Sequence, residues 1–178
     1  MKGIMFQEDL FKKVLSGEKT MTRRIIDVDL NNYEFNVALG DFRGIIAVFE
    51  GLTGKKKSIR SRYKLGEILY LKEPCGRISG IMFYKYDYPE GHKMRTEFKG
   101  WANKMFMKAE SARYKIRITD VRLERVQDIT NEDAWREGVS DSPEYNCIAL
   151  FQNKWIKING FSSWKPNPFV FVYSFERL

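Results

Sequence analysis

Short β-rich runs punctuated by glycine and polar turns recur along this chain: GIIAVFE, SIRSRY, GEILYLKE, ARYKIRITDVRLERV and the terminal PFVFVYSFE. Runs of this kind suggest a small barrel of mixed or antiparallel strands rather than alternating parallel units. In the fourth run Tyr114, Ile116 and Ile118 share one parity, whereas Val121 and Leu123 take the other. A bulge or bend near Thr119 and Asp120 would return all five to a common buried face. With 178 residues, of which 43% are hydrophobic and 15% aromatic, the chain can bury one sizeable core, and its length argues for one domain over residues 1–178.

Helical signals lie around these runs. Leu10, Phe11, Val14 and Leu15 within EDLFKKVLS repeat at helical spacing, and Gly17 follows where positive φ ends a helix. Thr130 with Asp133 approximates a capping box for NEDAWRE, which stops at Gly138. Leu150, Phe151, Lys154, Trp155 and Ile158 fit another helix closed by Gly160. The expected fold is therefore α+β, a small β-barrel with flanking short helices and with Trp135, Trp155, Trp164 and Phe169 in its core. Residues 76–109 carry mixed charge, many aromatics and turn signals at Pro89, Gly91 and Gly100; this stretch reads as an insertion, either a long loop or a hairpin. Lys55–Lys57 reads as a solvated turn.

The formal net charge of +8 favours phosphate-rich partners or anionic surfaces through long-range attraction. Cys75 and Cys147 belong to no paired-cysteine metal motif, so a reduced compartment is expected. The N-terminus shows no signal-peptide core, and no apolar run approaches the roughly 18 residues of a membrane span; a cytoplasmic protein without a membrane partner is expected. His92 is the single histidine, which excludes zinc sites built on two or three histidines. No metal and no cofactor is expected, and any catalysis falls to lysine, threonine and carboxylates.

The stretch GEKTMTRR, Gly17 to Arg24, has the composition for such chemistry. After the helix end, alternation puts Thr20, Thr22, Arg24 and Ile26 on one strand face and Met21, Arg23 and Ile25 on the other. Lys19 lies at the turn, where alternation does not set its direction. A desolvated lysine near arginines loses its proton more readily and can serve as a base. A threonine hydroxyl needs such a base to become nucleophilic. On residue types alone an ordinary basic strand is the favoured reading, since perturbed lysines are uncommon and basic strands frequent.

GEKTMTRR also matches the glycine, x, lysine, four residues, arginine signature of the ASCH superfamily, carried here by Gly17, Lys19 and Arg24. GIMFQEDLFKKVLSGEKTMTRRI resembles the N-terminal block of phage and prophage members, and LGEILYLKE resembles their next strand. ITDVRLERVQDITNEDAWREGV and NPFVFVYSFERL resemble their C-terminal half. The resemblance implies a PUA-like β-barrel of RNA-modifying proteins. It also implies kinship with a compact branch that hydrolyses N4-acetylcytidine to cytidine and acetate with a lysine, a threonine and a glutamate. By position these fall on Lys19, Thr22 and Glu137. Lys19 would take the Thr22 proton, Thr22 would attack the acyl carbon, and Glu137 would protonate the departing nitrogen, its acidity weakened by the helix C-terminus. Arg24 would stabilise charge or anchor the substrate.

The expected ligand is thus RNA or a modified nucleoside, bound in a cleft that includes Gly17, Arg23 and Arg24, with Lys115 and Arg117 on a second basic strip. Two alternatives stay open. One is a pure RNA-binding module, in which Lys19, Arg23, Arg24, Lys115, Arg117 and Arg122 contact phosphates and some of Tyr84, Tyr86, Tyr88 and Trp101 stack on bases. The other is a metal-independent ribonuclease in which Lys19 or Glu137 activates a ribose hydroxyl. The inserted stretch between Cys75 and Trp101 lies where it can cover or reshape a nucleoside pocket.

Overall fold

The terminal run FVFVYSFER forms a strand buried on both faces. In the computed structural model, which describes residues 1–41, 43–140 and 146–178, its residues alternate between two cores. Phe169, Phe171, Tyr173 and Phe175 enter one; Val170 and Val172 enter the other. A strand covered on both sides has no polar face, which is why its sequence reads as a nearly unbroken apolar run.

The described elements follow in the order β1 (Lys2–Met5), α1 (Glu8–Ser16), β2 (Met21–Ile25), β3 (Tyr33–Asp41), β4 (Gly44–Gly51), β5 (Lys56–Arg60), β6 (Ile68–Lys72), β7 (Cys75–Ile78), β8 (Ile81–Tyr84), α2 (Lys93–Thr96), β9 (Lys115–Arg125), α3 (Asn131–Arg136), α4 (Cys147–Asn159) and β10 (Phe169–Arg177), with short 3-10 turns between some of them. The fold is α+β. A five-stranded sheet runs β1-β6-β9-β10-β2, beside a three-stranded sheet β3-β4-β5 and the two-stranded β7-β8. Among the described residues only β1 and β6 pair in parallel; the other pairings are antiparallel. Among the described residues these sheets do not close into one hydrogen-bonded ring.

Strand β9 bends where its parity changes. Ser174 of β10 pairs with Asp120 and Phe175 pairs with Ile118, so Thr119 is the extra residue of a bulge. Ile116 and Ile118 before it, and Val121 and Leu123 after it, consequently all pack on the first core.

The helices end as local chemistry directs. Gly17, at φ 83°, closes α1 and donates its N–H to the Val14 carbonyl at 3.2 Å. Thr130 caps α3 by accepting from the Asp133 N–H at 3.1 Å. Asn146 caps α4 in the same way toward Ala149, and Gly160 closes it at φ 96°. Leu10, Phe11 and Val14 of α1 enter the first core, while Phe151 and Trp155 of α4 enter the second. Trp155 and Phe169 are buried; Trp135 and Trp164 are half-buried against the second core.

Residues 76–109 form a hairpin followed by short helical turns, folded against the main sheet. Ser79 and Gly80, both at positive φ, make the turn between β7 and β8. Arg95 of α2 ion-pairs with Glu8, and the Tyr70 hydroxyl donates to the Met107 carbonyl at 3.0 Å. Arg113 forks onto Glu73, with both bonds at 2.9 Å, and also onto Asp87. The tyrosines of this segment are engaged internally. Tyr84 lies under the Arg113 guanidinium at 3.8 Å, Tyr86 packs on Phe11 at 5.1 Å, and Tyr88 stacks with His92 at 5.0 Å. Lys55 to Lys57 are exposed, the last two opening β5. Cys75 and Cys147 are buried and form no disulfide among the described residues. Among the described residues no helix is long and apolar enough to cross a membrane.

Candidate active site

The turn between α1 and β2 drives Lys19 into the protein, where the residue is only 2% exposed. A backbone bond from the Lys19 N–H to the Lys13 carbonyl at 2.9 Å holds this turn, and another from Thr20 to the Arg136 carbonyl ties it to the end of α3. A buried ammonium needs acceptors for each of its hydrogens. Lys19 Nζ has three: the Met21 carbonyl at 2.7 Å, the Glu137 carbonyl at 2.8 Å and Glu137 Oε2 at 2.7 Å. Glu137 stands at the C-cap of α3, and Gly138 follows at φ 78°. The pair therefore joins residues 118 positions apart, one from the strand side of the fold and one from a helix end.

Arg23 points away from the first core, as alternation from Met21 requires. Its side chain is fully buried between carboxylates. Nη2 donates to Glu124 Oε2 at 2.9 Å and Asp133 Oδ2 at 2.8 Å, and Nη1 reaches Glu137 Oε1 at 3.4 Å. Its Nε is a buried donor without a partner among the described residues. Arg122 also binds Glu124 and Asp133. Arg24 takes the opposite face, donating to the Met5 carbonyl at 2.8 Å. Phe6 lies between the two cationic arms: Lys19 Nζ and Arg24 Cζ are each 5.5 Å from its ring centroid.

Above this constellation is a cavity of about 240 Å³. Lys19, Thr22, Arg23, Arg24 and Glu137 line it on one side, and Phe151 and Trp155 of α4 line it on another. Thr22 is buried, and its hydroxyl makes no hydrogen bond to a described residue. The inserted segment contributes Lys104, which donates to the Phe6 carbonyl at 2.6 Å and lines the same cavity.

Burial pushes the Lys19 ammonium below the ordinary lysine range; Glu137 opposes the shift, and Arg24 and Arg23 add to it. Burial also lowers Lys104. The protein packed around the Arg24 guanidinium disfavours its charge, although the residue remains open to solvent. Burial thus makes Lys19 a readier proton donor than a lysine in water, at hydrogen-bond distance from the Glu137 carboxylate.

The structure brings Lys19, Thr22, Arg23, Arg24 and Glu137 to one cavity. Gly17 is exposed at the end of α1 and does not line it. Lys115 and Arg117 lie at the other end of β9, exposed, with Arg117 paired to Glu176 at 2.9 Å. Sequence reasoning did not pick out Asp133, Glu124 and Lys104. A signal for the first was present, since Asp133 and Glu137 are four residues apart on one helical face.

Comparison with family models, with curated proteins and with solved structures finds no match to this chain.

Proposed function

We propose that this chain is a PUA-like ASCH protein of the cytoplasm whose cavity recognises a modified base, in RNA or as a nucleoside, and hydrolyses an acyl amide on it, as in N4-acetylcytidine. The observation that carries this reading is the buried Lys19–Glu137 contact of 2.7 Å in a cavity that Thr22 also lines. The cavity volume of about 240 Å³ lies below the ~300–1,000 Å³ of pockets for drug-sized ligands, which suits one base and its substituent.

The chemistry closes on itself. Transfer of the shared proton from Lys19 to Glu137 leaves an amine beside a carboxylic acid. The amine takes the Thr22 hydroxyl proton as Oγ1 bonds to the acyl carbon; the carbon–nitrogen bond breaks and Glu137 protonates the leaving nitrogen. Lys19 is then an ammonium and Glu137 a carboxylate. In deacylation Glu137 removes a proton from water as its oxygen attacks the acyl carbon, and Lys19 protonates the departing Thr22 oxygen. Arg24 supplies positive charge near the developing oxyanion.

A second reading is a binding pocket without turnover. It is favoured by the full use of the Lys19 hydrogens on Met21 and Glu137, a pattern that also serves to lock β2 to α3. The experiment is incubation of N4-acetylcytidine with the wild type, Lys19→Ala and Thr22→Ala, followed by chromatography. Cytidine and acetate formed by the wild type alone support hydrolysis. Absence of product with wild-type protein, together with measurable binding of the nucleoside, supports the second reading; absence of both overturns the nucleoside assignment.

A further inference from the structure

Beside the Lys19 cavity lies a larger groove of about 640 Å³. Met5, Arg24 and Ile25 line both, so Arg24 stands on the partition between them. The groove floor is apolar and aromatic, with Ile59, Tyr63 and Phe171. Its cations are Arg24, Arg60, Arg62 and Lys72, against the single carboxylate of Asp27.

These cations differ in how far they are neutralised. Arg60 is paired with Asp41 at 2.8 Å. Arg24 and Lys72 donate only to carbonyls, of Met5 and of Met105. Arg62 lies over the Tyr63 ring at 5.6 Å. None of these last three forms an ion pair with a described residue. Arg62 is also close enough for its charge to oppose that of Arg24. Like charges held around one groove, with Asp27 as the one carboxylate lining it, repel one another, and an entering anion relieves that repulsion. A guanidinium fork suits phosphate oxygens in particular.

We infer that this groove is a phosphate subsite, built on Arg24, Arg62 and Lys72, for a ligand whose base occupies the Lys19 cavity. The phosphate belongs to a mononucleotide or to the backbone of a polynucleotide; the chemistry recognised is the same. The apolar floor leaves surface beneath that phosphate for a sugar or a neighbouring base. The link to a base rests on the function proposed above, whereas the anion site itself does not.

The test has two arms. In the first, inorganic phosphate is titrated into the wild type, and the backbone amides of residues 60–63 are followed by NMR. Saturable shifts there, weakened about tenfold or more in Arg62→Ala and abolished in Arg62→Glu, are expected from loss of a charge-assisted bond. The Arg62 side chain is exposed, and the bond from its backbone N–H to the Tyr173 hydroxyl at 3.0 Å survives both changes. In the second arm, cytidine, cytidine monophosphates and a short cytidine-containing oligoribonucleotide are compared by calorimetry. A preference for the monophosphate over cytidine that disappears in Arg62→Ala joins the groove to the cavity. Further tightening with the oligonucleotide identifies a strand as the source. If phosphate shifts no groove amide, or if Arg62→Ala binds it as the wild type does, the subsite is overturned whatever the outcome with N4-acetylcytidine. If phosphate binds and no cytidine ligand does, the anion site stands and its link to a base falls.

Discussion

Asp133 and Glu137 stand one helical turn apart and reach the same guanidinium, Asp133 Oδ2 at 2.8 Å from Arg23 Nη2 and Glu137 Oε1 at 3.4 Å from Arg23 Nη1. Two carboxylates at this spacing repel, and burial strengthens the repulsion. Arg23 offsets that repulsion from between the two carboxylates while Glu137 faces Lys19. Arg23→Ala leaves these carboxylates short of a cation and is expected to destabilise the fold by about 3–5 kcal/mol. Arg23→Lys should recover little, because one ammonium does not reproduce the fork. Urea unfolding measures both; a loss of under about 1 kcal/mol for Arg23→Ala would show that solvent already screens the cluster.

Lys19 and Glu137 are expected to couple. Lys19→Met should be strongly destabilising, because the buried Glu137 carboxylate loses its nearest cation, at 2.7 Å, and keeps only the longer 3.4 Å contact to Arg23. Adding Glu137→Gln removes that charge, so the double variant should be more stable than Lys19→Met alone. Additive effects in this cycle would rule out an energetically coupled pair.

Gly138 and Gly17 offer an internal comparison. Both adopt positive φ, 78° and 83°, but a Cβ on Gly138 would meet the Lys19 Cβ at 3.0 Å, whereas one on Gly17 meets nothing within 4 Å. Each alanine substitution pays a backbone cost of about 1–2 kcal/mol. Gly138→Ala should cost more than Gly17→Ala, and it alone should displace Lys19 and reduce any turnover of N4-acetylcytidine. Equal costs in denaturant unfolding would place the Lys19 turn further from α3 than the structure has it.

Acid should loosen the inserted segment before the main sheet. The Arg95 guanidinium bonded to Glu8 holds the Glu8 carboxyl down at about 2, against an ordinary value of 4.5. A depressed carboxylate contributes stability above its unfolded pKa and loses it as pH falls through the folded one. The stability difference between the wild type and Glu8→Gln should therefore be full at neutral pH and shrink between about pH 4.5 and 2. A difference that stays constant across that window would count against the tether.

Alkali should reveal the tyrosines that the fold shields most from ionisation. Burial pushes Tyr86 and Tyr173 up to about 12. Their contribution is present below the ordinary value near 10 and is lost as pH rises through about 12. An ultraviolet titration should show Tyr86 and Tyr173 ionising only as pH approaches about 12, with unfolding close behind. Complete ionisation of all nine tyrosines near pH 10 in the folded protein would contradict their placement.

What could be read from the sequence was whatever depends on near neighbours. The parity change in β9 located the Thr119 bulge, and the caps of α3 and α4 followed from Thr130, Gly138 and Gly160. Alternation also separated Arg23 from Thr22 and Arg24. The pairing of Lys19 with Glu137 is of another kind. It spans 118 positions and depends on how α3 docks against β2, which no local pattern encodes. Lys115 and Arg117 form a basic stripe that is obvious in the strand, and the length of β9 sets it apart from the cavity. The tyrosines of the inserted segment look like an exposed stacking surface in the sequence, yet Arg113, Phe11 and His92 occupy their faces.

Lys104 comes from the inserted segment, donates to the Phe6 carbonyl and forms part of the cavity wall. The chamber is consequently assembled from separable parts: a floor on β2 and the end of α3 that carries Lys19, Thr22 and Glu137, and a wall that arrives with the insertion. Exchange of the segment would resize the chamber and alter what fits while the floor stayed the same. The size of the chamber and the identity of its floor can therefore change independently, each along its own stretch of chain.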